Sequence, residues 1–319
     1  STLFPYTTLF RSLADAFSCV YDARGNTVFE RSSLSSTAFH VSLPLIGGRL
    51  PTERTSRLRQ RVPETYTPIY LNMRYAADLT SYYELPEPGL LRVVCRPLPF
   101  AGGLSERFLH SMVADRMGSS SPMLVVLSMT EVPRFCESAA LMASFAKKMQ
   151  IALCVGVPRD GGEELLCLNR HGKLFRRVPG SQDFCLLDLD NVRISLASRE
   201  ELYHPETTLA LSKLGCDLVV SPAASLEAMD RSVLGSRSIE QVALAVCGSN
   251  SALICLPPED HFRWQECYQK GEQGCSSEID VSRLRKKQFY DRLDFDLLLA
   301  KHADPVSLCG SLNQSRYRI

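Results

Sequence analysis

This sequence of 319 residues contains 12 cysteines, so thiols are the first side chains to consider as nucleophiles or metal ligands. Two cysteines separated by two residues would indicate a metal or redox site, but the cysteines here are scattered and form no such pair. Most of them fall inside apolar, strand-like runs, as at Cys95, Cys154, Cys216, Cys247 and Cys255. The pattern predicts reduced, buried thiols that act as small hydrophobic side chains, which is typical of a cytoplasmic protein.

Metal and cofactor sites are not indicated by the spacing of the potential ligands. Cys267 and Cys275 flank a polar loop, but no histidine lies near them at the spacing of a zinc site. We therefore predict no metal and no cofactor.

The charge balance excludes the partners that a strong electrostatic field would attract. Lys plus Arg number 36 and Asp plus Glu number 35, so no net field favours nucleic acid or an anionic membrane. The longest apolar runs are shorter than the roughly 20 residues of a membrane-spanning helix. An arginine-rich stretch at 54–61 could contact an anion, but acidic neighbours at 53 and 64 favour a solvated helix face.

The chain divides into segments of different character. Residues 2–12 (TLFPYTTLFRS) match the translation of a sequencing-library adapter, so we expect residues 1–12 to be adapter-derived and the gene to be truncated upstream, as metagenomic sequences can be. Residues 13–88 are unassigned and could be the tail of a truncated upstream domain, with a hairpin at 17–30. The segment ELPEPG (84–89) predicts a linker before a domain at 89–300. Residues 301–319 form a C-terminal tail.

From residue 90 onward, strand-like runs alternate with segments of helical periodicity, which predicts an α/β fold. Apolar, β-branched runs between helical patterns predict buried strands. These strands are expected at 124–127, 151–155, 194–196 and 218–220. Further strands are expected at 91–95, 164–168, 173–176, 242–247 and 252–256. The glycine-bearing segment NRHG (169–172) predicts a hairpin turn. Helices are expected at 104–117, 137–149 and 226–240, and between Pro205 and Gly215.

Three segments within about residues 90–299 together resemble the carbon-nitrogen hydrolase (nitrilase) superfamily. RISLASREELYHPE (193–206) is similar to the family's strand, nucleophile elbow and aromatic-Pro-Glu helix start. LGCDLVVSP (214–222) resembles its Gly-Ala-Asp strand, and RSIEQVALAVCGSN (237–250) resembles its Arg-Ala-x-Glu-Asn segment and the strand that follows. The resemblance implies an α-β-β-α sandwich, in which two sheets face each other and helices cover both outer faces.

The resemblance also implies a Glu, Lys and Cys triad, in which Cys attacks the substrate carbon, Glu moves the proton and Lys stabilises the developing charge. The Cys position, seven residues before Glu206, is occupied by Arg199. A guanidinium stays protonated and has no nucleophilic atom, so the ordinary reaction is excluded at this position. The neighbouring Ser198 has a hydroxyl, but strand side chains alternate between faces, so a shift by one residue would point it away.

The other two triad positions are disturbed as well. In LVVLSMTE (124–131), Met129 stands at the Glu position, and Glu131 would share its face if the strand continued. Glu131 is either a relic of the base or a solvated loop carboxylate. At the Lys position, the segment GKLFRRVPG (172–180) is shortened and leaves Arg176 and Arg177 as the nearest cations.

These substitutions predict a nitrilase-like domain that has lost the chemistry and serves as a ligand-binding or assembly module. Arg199 and Glu131 are the predicted ligand-binding residues, paired with each other or with a small carboxylate or amide ligand. The resemblance implies a homo-oligomer through the sandwich faces. One alternative is an active hydrolase of amides or nitriles whose triad is displaced or whose Cys codon is misread. Another is a nucleic-acid-associated enzyme whose main domain lies upstream.

Overall fold

A computed structural model describes residues 17–21, 27–32, 61–70, 79–98, 106–113, 121–129, 135–160, 162–181, 183–258, 265–285 and 287. Two compact units are distinguished, Ser1–Gln60 and Arg61–Ile319. The described part of the first unit is an antiparallel hairpin of β1 (Phe17–Tyr21) and β2 (Thr27–Ser32), which confirms the predicted hairpin. The adapter-like segment, residues 54–60, Glu131 and the C-terminal tail lie outside the described residues.

The second unit contains two six-stranded sheets. The first sheet has the order β14 (Cys275–Asp280), β3 (Leu90–Arg96), β4 (Met123–Leu127), β5 (Ala152–Arg159), β6 (Gly162–Leu168), β7 (Leu174–Arg177). The second sheet has the order β13 (Gln265–Lys270), β12 (Ser251–Leu256), β11 (Ala243–Cys247), β10 (Leu218–Pro222), β9 (Val192–Leu196), β8 (Cys185–Leu189). In each sheet three neighbouring strands are parallel and antiparallel strands flank them.

The inner faces of the two sheets share one hydrophobic core. Alternate residues of the first sheet, such as Val93, Val126 and Cys154, pack in the same cluster as Ile194 and Val220 of the second sheet. Strands covered on both faces bury every side chain, which explains their unbroken apolar runs. The four predicted buried strands are confirmed, because β4 and β10 are buried along their whole length and residues 151–155 and 194–196 are buried too.

Helices cover the outer faces of both sheets. The helices are α1 (Leu79–Tyr82), α2 (Glu106–Val113), α3 (Phe135–Met149), α4 (Arg199–Leu202), α5 (Pro205–Lys213), α6 (Ala228–Ser236) and α7 (Val281–Arg285). Leu109 of α2 and Phe145 of α3 pack on the first sheet, whereas Leu202, Leu211 and Leu234 pack on the second. The predicted α-β-β-α sandwich is therefore confirmed. Within the described residues, no helix combines the length and apolar character that crossing a bilayer requires.

Some elements differ from the sequence-based expectation. The helix expected at 226–240 is α6 followed by a 3-10 turn at Arg237–Glu240, and Gln241 then takes a left-handed conformation with φ of 61°. Strands β8, β13 and β14 were not predicted. β13 is an edge strand with exposed or half-exposed side chains throughout, so its sequence shows no alternation of apolar and polar residues.

Residues before the predicted linker pack against α5. The Lys213 ammonium donates to the Ile69 carbonyl at 2.9 Å, and the Tyr83 hydroxyl donates to the Lys213 carbonyl at 3.0 Å. At the same end of the sandwich, buried Arg285 donates to Asp217 at 2.6 Å. These contacts place residues on both sides of 84–89 in one unit, while the domain limits given above stay a prediction.

Candidate functional site

The segment that follows β9 turns at once into a short helix. Ser198 caps α4: its hydroxyl accepts from the Glu201 backbone N–H at 3.1 Å, and the Glu201 carboxylate accepts from the Ser198 N–H at 2.9 Å. This reciprocal arrangement is a capping box, which a Ser-x-x-Glu sequence favours. The Ser198 side chain is buried and its hydroxyl is engaged in the cap. Because Ser198 is the N-cap residue, Arg199 is the first residue of the helix.

Glu201 also forms a buried ion pair with Arg177, the last residue of β7. Nη1 and Nη2 of Arg177 donate to the two carboxylate oxygens at 2.5 and 2.7 Å, and the Gly180 N–H donates at 3.0 Å. The Arg177 side chain is only 3% exposed. Burial raises the pKa of Glu201, but the hydrogen bonds and charge of Arg177 outweigh burial, so the net pKa is lowered. Glu201 is therefore held as a carboxylate.

Glu163 lies beside this pair on the inner face of the first sheet. Its side chain lies on the same face of β6 as those of Leu165 and Cys167, which pack in the core between the sheets. Leu165 is the ladder partner of Arg177. Glu163 and Arg177 are therefore diagonal neighbours on one face. The pKa of Glu163 is raised to about 7, mainly by burial and also by the charges of Glu200 and Glu201, while the charges of Arg199 and Arg177 oppose the increase.

Arg199 is held by three groups of the protein. Its guanidinium donates to Glu200 Oε1 at 3.0 and 3.2 Å, to the Ser225 carbonyl at 3.2 Å and to Asp230 Oδ2 at 3.4 Å. Its side chain is 26% exposed, whereas that of Asp230 is fully buried. Asp230 has further donors in the Tyr203 hydroxyl and in the Glu227 N–H at 2.7 Å. Arg199 thus lies in a partly enclosed site with internal carboxylate partners.

Met129 approaches the same edge of the core from β4. Its N–H donates to the Ala223 carbonyl at 2.9 Å, which links the ends of β4 and β10. A Cβ on Gly156 would lie 3.4 Å from the Met129 Cβ and 3.3 Å from the Pro222 Cβ. A side chain at position 156 would therefore be in tight contact with both residues. Gly156, Leu165 and Arg177 form one row across β5, β6 and β7, which spans about 10 Å at the usual strand spacing.

The structure thus brings together five charged residues near the turn from β9 into α4, which we call the elbow. We call these residues the elbow cluster. Its members are Glu163, Arg177, Arg199, Glu200 and Glu201. Of the two arginines near the Lys position, Arg177 belongs to the cluster. Arg176 points to the opposite face, is 53% exposed and pairs with Glu164 at 3.4 Å.

Three residues of the cluster, Glu163, Glu200 and Glu201, were not singled out by the sequence analysis. Glu201 had a signal in the Ser-x-x-Glu pattern that starts at Ser198. Glu163 had a weaker one, because it precedes Leu165 and Cys167 at the alternate spacing of inward-facing strand residues. Glu131 lies outside the described residues, so its place in the site stays a prediction.

The cluster offers hydrogen-bonding groups but no described thiol in the position of a nucleophile. Among the described residues, Nε of Arg177 and Oε1 of Glu163 are buried and have no hydrogen-bond partner, and buried polar atoms normally have one. Within the described part of the chain, no group of three or more His, Cys, Asp or Glu is arranged to hold a metal ion. The cluster therefore presents one donor and one acceptor that no described residue satisfies.

Comparison with known proteins yields no match to a protein-family model and none to a curated protein. Among solved structures, a mutant of the amidase from Nesterenkonia sp. AN1 in complex with butyramide is 15% identical with a TM-score of 0.45, over 63% of this chain and 95% of that chain. Another mutant of that amidase, with the acetamide moiety of fluoroacetamide added at its active-site cysteine, is 14% identical with a TM-score of 0.48, over 67% and 98%. A third mutant, described as from the nitrilase superfamily, is 17% identical with a TM-score of 0.45, over 64% and 96%. These similarities are too distant to transfer any residue role to this chain.

Proposed function

We propose that this chain is a nitrilase-like domain that does not perform cysteine-dependent hydrolysis and instead binds a small amide or carboxylate at the elbow cluster. The observation that carries the proposal is the position of Arg199. It stands where the sequence resemblance places the nucleophile, at the first position of α4, and its guanidinium is engaged by Glu200, Asp230 and the Ser225 carbonyl. A guanidinium in this place cannot form a covalent intermediate.

The ligand-binding part of the proposal is supported by two buried atoms that have no partner among the described residues. Nε of Arg177 can donate to an oxygen of the ligand, and Oε1 of Glu163 can accept from a ligand N–H. A primary amide presents both an oxygen and an N–H. A protonated carboxylic acid presents an oxygen and an O–H donor in their place. Arg199, and Glu131 by the sequence prediction, complete the proposed set of ligand-binding residues.

The rival proposal, an active hydrolase with a displaced triad, needs another nucleophile near Arg177. Cys185 on β8 is the candidate, because it is half-buried, packs against the core between the sheets and lies close enough for Arg177 to act on its pKa. Burial raises the pKa of the Cys185 thiol, and the nearby Arg177 only partly opposes this. The thiolate form that hydrolysis requires is therefore disfavoured.

Calorimetric titration with acetate, propionate, acetamide and propionamide tests the binding proposal. We expect binding by the unchanged chain, and a loss of at least tenfold in affinity for Glu163→Ala, Glu131→Ala and Arg199→Ala. Arg231→Ala is the matched control, because Arg231 is 52% exposed and pairs with Glu266 away from the cluster. If none of these compounds binds, or if the three variants bind as the control does, the elbow cluster is not a ligand site.

A further inference from the structure

Three cysteines meet where the edge strands of the two sheets come together, and we call them the edge thiols: Cys95, Cys267 and Cys275. Cys267 lies on β13, at the edge of the second sheet, and Cys275 begins β14, at the edge of the first sheet. Cys95 is the ladder partner of Cys275 across β14 and β3. The Cys275 thiol lies close enough to Cys95 and Cys267 for both to act on its pKa. A sulfur on one sheet therefore lies beside a sulfur on the other.

The backbone around these residues holds the two sulfur atoms near each other. Cys267 is the ladder partner of Ile254, and Ile254 packs in the same core cluster as Cys275. The Cys267 thiol in turn donates to the Ser276 carbonyl at 3.6 Å. Gly274, with φ of 67°, lets the corner between β13 and β14 approach β3 so closely that a Cβ would collide with the Cys95 carbonyl oxygen. The Cys267 sulfur thus contacts the backbone of the residue next to Cys275.

The edge thiols also differ in exposure and in acidity. Cys267 is half-buried and reachable from solvent, whereas Cys95 is fully buried. Hydrogen bonding by Cys95 lowers the pKa of the Cys275 thiol, burial opposes this, and hydrogen bonding by Cys267 lowers the pKa further. A second cross-strand pair, Cys154 and Cys167, lacks this access, because both side chains are completely buried. Burial raises the pKa of Cys154 well above its usual value.

We propose that Cys267 and Cys275 are a peroxide-sensitive pair that forms a disulfide and thereby links the edge strands of the two sheets. The Cys275 thiolate attacks one oxygen of hydrogen peroxide, the O–O bond breaks, and hydroxide leaves to give a sulfenic acid on Cys275. The Cys267 sulfur then attacks the Cys275 sulfur, its proton goes to the departing hydroxide, and water leaves. In total two thiols and one peroxide give one disulfide and two waters. This inference does not depend on the proposed function.

Tryptic mapping of the oxidised full chain tests the proposal directly. Cleavage after Arg263, Lys270 and Arg283 places the two cysteines on separate peptides, WQECYQK (264–270) and GEQGCSSEIDVSR (271–283). The reduced protein is treated with hydrogen peroxide under native conditions, its remaining thiols are alkylated, and the digest is analysed by mass spectrometry. We expect a disulfide-linked pair of these two peptides, which dithiothreitol separates. The link should also raise the midpoint of thermal unfolding.

Three controls make the result specific. The link should disappear in Cys267→Ser, a change at a half-buried position, and persist in Cys185→Ser, a change at another half-buried thiol. Peptides 149–159 and 160–170, which carry Cys154 and Cys167, should stay fully alkylated. If the folded protein leaves Cys267 and Cys275 alkylatable after peroxide, or if Cys275 links to Cys95 on peptide 93–107 instead, the proposal is overturned.

Discussion

Arg177 and Glu201 connect the two sheets at the elbow through a buried, two-pronged ion pair. Arg177 ends β7 of the first sheet, Glu201 lies in the helix after β9 of the second, and the paired atoms are 2.5 and 2.7 Å apart. Glu201 also caps its own helix and accepts from the Gly180 N–H. One carboxylate therefore fixes the helix start, the loop after β7 and the guanidinium that faces Glu163.

Removing Arg177 should destabilise the fold strongly. Arg177→Ala leaves the buried Glu201 carboxylate without its counter-charge, which typically costs about 3–5 kcal/mol. Arg176→Ala is the matched change at the neighbouring residue, and it removes an exposed pair with Glu164 worth under about 1 kcal/mol. Urea unfolding of the two variants measures the difference. Equal losses in the two variants would show that the Arg177 pair does not hold the sheets together.

Removing Arg199 should have an intermediate effect on stability. Asp230 is fully buried but keeps the Tyr203 hydroxyl and the Glu227 N–H as donors, so Arg199→Ala does not strand it completely. We expect a loss of about 1–2 kcal/mol, between an exposed pair and a broken buried pair. Chemical unfolding at neutral pH provides the measurement. A loss as large as that of Arg177→Ala would show that Arg199 is mainly a structural residue.

The titration of Glu163 should make stability depend on pH in a defined window. Its pKa is raised from 4.5 to about 7 in the folded protein, mainly by burial, so the folded state binds the proton more tightly than the unfolded chain. Through this group the free energy of unfolding falls as pH rises from about 4.5 to 7 and is constant above. Glu163→Gln removes that loss. The variant should therefore gain stability relative to the unchanged chain between pH 5 and pH 8.

Urea unfolding of both proteins at a series of pH values measures this difference. A difference between the two proteins that stays constant from pH 5 to pH 8 would mean that Glu163 titrates as an ordinary surface carboxyl.

The sandwich could be predicted from sequence because its central strands are buried on both faces. Residues 123–127 and 218–222 consist almost entirely of apolar side chains, and this leaves an unmistakable run in the sequence. Edge strands leave no such run: on each face of QECYQK at β13 only the central residue is half-buried, and its neighbours on that face are exposed. The pairing of β13 with β12 is a tertiary contact, so the sequence of β13 alone does not indicate it.

The elbow cluster could be predicted only in part. The sequence indicates an arginine near the Lys position but cannot choose between Arg176 and Arg177, because the choice depends on which face of β7 meets the core. Phe175 packs between the sheets. Arg177 lies two residues later on the same face of β7, so it also points inward. The Ser-x-x-Glu pattern identifies the cap at Ser198, but the sequence alone does not show that Glu201 also reaches across to the other sheet.

The most direct test of the proposed function is an ammonia-release assay with the purified chain. Acetamide, propionamide, propionitrile and N-carbamoyl glycine are offered to the unchanged chain, to Arg199→Ala and to Cys185→Ser. We expect no release above the heat-denatured protein in any of them, because Arg199 has no nucleophilic atom and burial disfavours the Cys185 thiolate. Turnover by the unchanged chain that survives Arg199→Ala and is lost in Cys185→Ser would contradict the proposal and identify an active hydrolase with a displaced nucleophile.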